Sequence, residues 1–196
     1  MSRSEEIAAA AAPWVVDHGM EYAEAKRRAA RDLGLRGELP DNEQVEDAVR
    51  EHLAVFCADT QPGELRALRE LAVTWMERLA EFRPHLTGAV WRGTATRVSS
   101  LRLELYCDDP KATELMLLDR GIDYDPGVWT RPDGREVPLL TLDAPCPALG
   151  ERVTVHLFVM DTDDLRGGLK PDARGRTWRG DLAGLRRQLQ AADQDE

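Results

Sequence analysis

A chain of 196 residues, 42% of them apolar, is long enough for one domain of ordinary size, which excludes a protein that is disordered as a whole. Its formal net charge of −10 excludes attraction of the whole surface to nucleic acid or to an anionic membrane. The alanine-rich run over 7–16 follows two acidic residues and is too short for a membrane span. The three cysteines (Cys57, Cys107 and Cys146) have no C-x-x-C spacing, which predicts reduced thiols in a cytoplasmic protein.

The N-terminal part of the chain has the apolar spacing of α-helices. Pro13 is expected at the start of a first helical stretch, which ends near Gly34. Asp41 is expected to cap a second helix, whose apolar stripe runs to Phe56. The strongest helical pattern of the chain covers 62–82, with a proline in the first turn, where its missing N–H costs nothing.

After Leu86 the apolar period changes from that of helices to that of strands. The predicted strands are Thr87–Trp91, Leu101–Tyr106, Val137–Leu142 and Arg152–Met160. Between them we expect a helix over 111–120 and loops over 123–134 and 144–150. A last helix is predicted to start near Asp181.

This order of elements predicts an α+β fold. A helical N-terminal layer over 1–83 is followed by a small mixed sheet flanked by helices over 84–190, and 191–196 form a frayed tail. The chain contains neither Gly-x-Gly-x-x-Gly nor Gly-x-x-x-x-Gly-Lys-Ser/Thr, which argues against dinucleotide-binding and phosphate-loop folds.

The segment Leu86–Tyr106 carries the most specific motif. A short apolar strand leads to the pair Gly93 and Thr94, and Ser99 precedes the next, alternating strand. This layout resembles the signature of the nucleotidyltransferase superfamily, in which a strand ends in Gly-Ser and the next strand presents Asp-x-Asp. The resemblance covers Phe82–Met160 and implies a nucleotidyltransferase-like sheet.

The resemblance also implies which residues form the site. In that family the glycine and the hydroxyl residue approach the triphosphate of a nucleotide, and three carboxylates hold magnesium. The resemblance implies that Gly93 and Thr94 would approach the triphosphate here. Ser100 and Arg102 stand in place of the first two carboxylates, and His156 is the candidate in place of the third. Magnesium requires anionic oxygen ligands, so no metal site is predicted. We therefore expect a non-catalytic module that binds a nucleotide or phosphate or has a regulatory role.

A second candidate site is the basic stretch over 166–187, which has seven Lys and Arg residues against two acidic ones. Cations spaced by glycines suit a small phosphate ligand better than a long nucleic acid, and Trp178 is placed to stack on a base or on an arginine. The alternative is a surface loop whose arginines pair with its own aspartates. The candidate ligand-binding residues of this stretch are Arg166, Lys170, Arg174 and Arg176, joined by Arg97 near the glycine turn.

Two other functions stay open. The first is an active, magnesium-dependent nucleotidyltransferase with an altered carboxylate set, Glu104, Asp108 and Asp109. The second is a protein-interaction function, in which a partner binds the apolar face of the helix over 45–56 or of the helix over 62–82.

The whole chain further resembles a group of small proteobacterial proteins, some described as nucleotidyltransferase-like and some labelled UDP-N-acetylmuramate–alanine ligase. The segments that carry this resemblance are Glu21–Lys26, Leu39–Asn42, Trp75–Met76 and Leu169–Asp172. The ligase label implies ATP-dependent synthesis of a peptidoglycan precursor. Such ligases need several domains and a Gly-Lys-Thr phosphate loop, and this chain has neither the length nor the motif.

Overall fold

The computed structural model describes residues 2–166, 170–172 and 174–194. Within them it has α-helices and one six-stranded mixed sheet, which confirms the predicted α+β class. The helices are α1 (Arg3–His18), α2 (Tyr22–Asp32), α3 (Asn42–Phe56), α4 (Gln61–Arg78), α5 (Gly88–Arg92), α6 (Pro110–Asp119) and α7 (Leu182–Gln194). The strands are β1 (His85–Thr87), β2 (Leu101–Cys107), β3 (Asp125–Thr130), β4 (Glu136–Cys146), β5 (Glu151–Asp161) and β6 (Arg179–Gly180). No helix in this described part is long and apolar enough to cross a membrane.

The chain forms two compact units. The first comprises Met1–Leu65 with Thr94–Ser99, and the second comprises Arg66–Gly93 with Ser100–Glu196. The first unit therefore ends within α4, whereas the sequence predicts a helical region over 1–83. The boundaries at 83 and 190 stay predictions.

The first unit is a helical layer built on α1, α2 and α3. Asp41 caps α3 as predicted, because its side chain accepts the backbone N–H of Gln44 at 2.7 Å while the Gln44 side chain accepts the backbone N–H of Asp41. The expectation for Pro13 is wrong, since that residue lies inside α1. The helix ends at His18, with Gly19 as its C-cap, instead of continuing toward Gly34. Gly19 has a φ of +65°, and a Cβ there would lie 2.6 Å from the Val98 carbonyl oxygen. The core of this unit includes Ile7, Ala11, Val15, Ala25, Ala29, Val45, Val49 and Leu53.

The sheet of the second unit has the strand order β3-β4-β5-β2-β1-β6. β2 and β5 run parallel, and every other neighbouring pair is antiparallel. The predicted alternation of β2 is present: Leu101, Leu103 and Leu105 point to one face and are fully buried. Arg102 and Glu104 lie on the opposite face.

One predicted strand is wrong in part. Thr87–Trp91 was expected to be extended, but the strand ends at Thr87 and α5 follows. Gly88, with a φ of +70°, turns the chain at this point. Val90 and Trp91 are buried from this short helix, so apolar residues that resemble a strand in the sequence belong to one helical turn.

Two predicted loops differ from the structure because strands extend into them beyond the residues whose pattern identified those strands in the sequence. The predicted loop over 123–134 contains β3, an edge strand of mostly exposed residues that therefore lacks an alternating apolar pattern. The strand β4 continues to Cys146, so the loop predicted over 144–150 begins only after that residue. The helix α7 extends to Gln194, the last two residues lie outside the described part, and the frayed tail over 191–196 stays a prediction.

Candidate functional site

The parallel pairing of β2 with β5 brings together the positions at which the family resemblance expects carboxylates. Arg102 lies directly opposite His156, and the register continues to Thr141 on β4 and to Thr87 on β1. Residues paired in this way share one face of a sheet. We call these four half-buried side chains the polar row.

Packing against neighbouring residues holds Arg102, the cation of the polar row, in place. The Arg102 Cζ lies 4.6 Å from the centroid of the Phe158 ring, a distance suited to a cation–π contact. The Arg102 stem passes over Gly88, where a Cβ would lie 3.0 Å from the Arg102 Cδ. Beside it, the Nδ1 of His156 lies 3.1 Å from the Oγ1 of Thr141.

The three positions at which the resemblance expects carboxylates do not fit magnesium. Ser100, Arg102 and His156 offer a hydroxyl, a cation and an imidazole where the ion needs anionic oxygens. Across the described residues, no group of three histidine, cysteine, aspartate or glutamate side chains is arranged to hold a metal ion.

The nearest acid on β2, Glu104, takes part in an ion pair on the same sheet face. Its Oε2 lies 2.6 Å from the Nη1 of Arg179 and accepts a hydrogen bond of 2.5 Å from the Tyr106 hydroxyl. Arg179 also donates to the Tyr106 hydroxyl at 2.8 Å. Burial, followed by the nearby Glu104 charge, raises the pKa of Tyr106. The cation that pairs with Glu104 is therefore Arg179 of β6.

The other two acids of the altered carboxylate set have separate structural contacts. Asp108 accepts a hydrogen bond of 2.5 Å from the Thr162 hydroxyl. Asp109 caps α6 by accepting the backbone N–H of Lys111 at 3.0 Å. Both acids also lie near Cys107, where burial first, and then their charges, raise the thiol pKa despite a hydrogen bond that lowers it. This thiol is therefore not an activated nucleophile.

The predicted glycine–hydroxyl pair belongs to a well-packed turn. Gly93 ends α5 with a φ of +82°. The Thr94 hydroxyl is buried and lies 3.3 Å from the Tyr22 hydroxyl. Ser99 accepts the backbone N–H of Thr96 through its hydroxyl, and Arg97 donates its backbone N–H to Glu64. The Ser99 hydroxyl thus stabilises the turn, and the Thr94 hydroxyl contacts α2.

Asp172 organises the basic loop. Its Oδ1 accepts the backbone N–H groups of Arg174 and Arg176 at 3.0 and 2.8 Å, and its Oδ2 accepts from Arg92 Nη2 at 3.1 Å. Burial raises the pKa of Asp172, but these donors outweigh it and leave the pKa below its usual value.

Arg92 is the site residue that sequence reasoning missed. Its side chain is only 2% exposed, donates to the Thr177 carbonyl oxygen at 3.1 Å and stacks on Trp178, with Cζ 3.9 Å from the ring centroid. Of the two partners predicted for Trp178, the structure provides the arginine. The signal available in the sequence was a charged residue directly after the apolar run that ends in Trp91.

The remaining cations of the basic loop are placed in two ways. Arg176 lies 3.5 Å from Asp172, and Arg166 lies 4.0 Å from Asp163 on the surface. Lys170 and Arg174 are exposed. The contacts of Arg176 and Arg166 agree with the alternative drawn from the sequence, in which arginines of this region pair with nearby aspartates.

The helical surface also has an exposed apolar feature. Val55 and Phe56, at the end of α3, are 71% and 72% exposed. By contrast, the apolar face of α4 includes the buried residues Leu68, Trp75 and Met76.

No protein-family model matches the chain, and no curated protein matches it. Among solved structures, the Cid1 poly(U) polymerase bound to MgGTP is similar at 12% identity over 48% of this chain and 32% of that chain, with a TM-score of 0.33. A cytoplasmic RNA terminal U-transferase is similar at 17% identity over 49% and 30%, with a TM-score of 0.34. Cid1 in complex with the UTP analogue UMPNPP is similar at 13% identity over 48% and 30%, also with a TM-score of 0.34. The chain thus spans about a third of the length of these proteins, and the muramate ligase label has no support among them.

Proposed function

We propose that the protein binds a nucleotide or another phosphate-bearing ligand at the polar row, without magnesium and without catalysing group transfer. The observation that carries this proposal is the register that sets Arg102 directly opposite His156. A guanidinium fork, an imidazole and the hydroxyls of Thr87 and Thr141 are all able to donate hydrogen bonds to phosphate oxygens.

The charge of the row favours an anion. In the family that Leu86–Tyr106 resembles, carboxylates need a divalent ion between themselves and the triphosphate. With Arg102 at that position, the protein supplies the positive charge directly. Added magnesium would then compete with Arg102 for the phosphate oxygens.

The setting of Arg102 favours binding for a second reason. Its guanidinium already stacks on Phe158 and its stem already occupies the space over Gly88 before any ligand arrives. A bound ligand therefore restricts few additional side-chain torsions, so binding costs less side-chain conformational entropy than it would with a mobile arginine.

The test is calorimetric titration of the full chain with ATP, GTP, CTP and UTP, each with magnesium and with EDTA. We expect binding that EDTA does not weaken. Arg102→Gln should weaken it about 10- to 100-fold, because a charge-assisted hydrogen bond contributes about 1.5–3 kcal/mol. Arg36→Gln, the same change on an exposed residue of the first unit, should leave it unchanged.

Two results would overturn the proposal. One is binding that requires magnesium. The other is magnesium-dependent release of pyrophosphate that Glu104→Gln abolishes, which would establish the altered carboxylate set.

A second candidate function, protein binding by the first unit, is favoured by the exposed pair Val55 and Phe56. If this pair supports assembly, sedimentation equilibrium will show concentration-dependent association that Phe56→Ser removes. A monomer at all concentrations would count against self-assembly.

A further inference from the structure

We propose that the second unit contains a separate binding site for a small, uncharged and largely apolar molecule that carries an N–H or O–H donor. The site is a cavity of about 420 Å³ where α4 ends and where β1 and α7 begin. Ligand pockets generally have volumes of about 300–1,000 Å³, so this cavity suits a compact ligand. All of its described lining residues belong to the second unit.

The lining of this cavity is predominantly apolar. Met76 on α4 is fully buried, and Leu165 is half-buried. Apolar ligand surface that enters such a cavity is removed from water, which favours binding. The described apolar residues of the lining are Met76, Ala80, Pro84, Leu165, Leu182 and Ala183.

The charged side chains of the lining balance each other. Arg83 supplies a cation and Asp181 supplies an anion. The Oδ1 of Asp181 also accepts the backbone N–H of Gly184 at 2.8 Å, so this carboxylate lies at the N-terminus of α7, where the helix dipole stabilises its charge. With one charge of each sign, the cavity favours an uncharged ligand over the anion expected at the polar row.

His85 supplies the polar group that a ligand would contact. It lines the cavity, is only 6% exposed, and its Nδ1 lies 2.9 Å from the Arg83 carbonyl oxygen. Because a carbonyl oxygen only accepts, Nδ1 carries the proton, and the Nε2 of the neutral imidazole is an acceptor. No second hydrogen bond joins this ring to the part of the chain that the structure describes. Nε2 is therefore available to a donor of the ligand.

The backbone at Arg83 sets this tautomer before a ligand binds. Among the described residues, Arg83 is the one non-glycine residue with a positive φ, at +47°. Strained backbone of this kind is concentrated at functional sites, since the surrounding structure has to maintain it. In this conformation the Arg83 carbonyl oxygen reaches Nδ1 of His85. The Tyr106 ring packs edge to face against the imidazole, with the ring centroids 5.3 Å apart, and holds it in place.

Indole and benzofuran are suitable probes, because they have nearly the same size and shape and only indole has an N–H donor. Neither carries a phosphate, so their binding is distinguishable from nucleotide binding at the polar row. Calorimetry on the full chain at pH 8, where imidazoles are mostly neutral, should show indole binding about 2- to 10-fold tighter than benzofuran. The NMR resonance of the His85 Nε2 should move further with indole than with benzofuran.

Two variants test the hydrogen bond and the cavity separately. His85→Asn keeps a donor close to the position of Nδ1 but has no atom at the position of Nε2, so the two probes should bind with equal affinity. Ala183→Leu fills part of the cavity and should weaken both probes by about tenfold or more. Ala191→Leu, the same change at an exposed position of α7 outside the lining, should leave both affinities unchanged.

Arg102→Gln separates this inference from the proposed function, since it removes the cation of the polar row and should leave indole binding unchanged. Equal affinities of the two probes for the wild type, no saturable binding of indole, or a preference for indole that persists in His85→Asn would each overturn the inference. Equal effects of Ala183→Leu and Ala191→Leu would overturn it as well. If the melting temperature shows that His85→Asn does not fold, the comparison of the probes on the wild type and the alanine variants still decide the point.

Discussion

The carboxylate of Glu104 lies 2.6 Å from the guanidinium of Arg179, so an ion pair connects β2 with β6 although β1 lies between these strands in the sheet. The Tyr106 hydroxyl bridges the two, since it donates to Glu104 and accepts from Arg179. The acid that the sequence offers as a substitute catalytic residue therefore stabilises the edge of the sheet.

Replacing Glu104 should affect stability. Glu104→Gln keeps the shape of the side chain but leaves the Arg179 charge without its anion, and we expect a loss of about 1–3 kcal/mol in the free energy of unfolding. Urea denaturation measures this loss. Glu136→Gln, on an exposed residue of β4, should change stability by less than about 0.5 kcal/mol. Equal effects of the two variants would contradict the assignment.

The raised pKa of Tyr106 predicts a loss of stability in alkali. Below pH 10 the hydroxyl is protonated in both the folded and the unfolded chain. Above that value the unfolded chain releases the proton while the folded chain keeps it, so stability falls by up to about 1.4 kcal/mol per pH unit from this one group. Denaturation of the wild type and of Tyr106→Phe between pH 8 and pH 11 tests this. The difference in stability between them should shrink above pH 10, and a constant difference would contradict the prediction.

Gly180 is predicted to tolerate no side chain. A Cβ at this position in β6 would lie 1.9 Å from the Trp91 ring, so Gly180→Ala forces the indole to move and should cost about 2–3 kcal/mol. Gly127→Ala is the matched control, because Gly127 also lies in a strand and, among the described residues, its Cβ would meet only the Leu139 carbonyl oxygen at an ordinary contact distance of 3.6 Å. Melting temperatures of the two variants decide the point, and a similar small shift in both would count against the contact with Trp91.

Parts of the fold that depend on local signals were predictable from the sequence. The Asp41 cap, the helical stripe of α4 and the alternating leucines of β2 are each encoded within a few neighbouring residues. The placement of Arg102 on the face opposite Leu103 followed from that alternation.

The contacts between distant segments were not predictable in the same way. Arg92 and Asp172 are 80 residues apart, and nothing near either residue indicates the pairing. Trp129 lies in β3, an edge strand that is exposed along most of its length. The alternation of apolar and polar residues that identifies other strands is therefore missing there. The partner of Glu104 was missed for a related reason: β6 has only two residues and gives no strand signal of its own.

The buried pair Arg92 and Asp172 should show strong coupling in a double-mutant cycle. Either Arg92→Met or Asp172→Asn alone removes one charge of a pair whose side chains are 2–3% exposed, whereas the double variant removes both, so the double variant should lose less stability than the two single losses combined. Because the pKa of Asp172 is lowered by folding, the stability from its charge is present above pH 3.8 and disappears as the pH falls through the folded-state value. Asp172→Asn should therefore be less sensitive to acid than the wild type in this range. Urea denaturation at pH 7 and between pH 4 and pH 2 measures both effects, and strictly additive losses with an unchanged acid profile would show that the pair does not hold the loop.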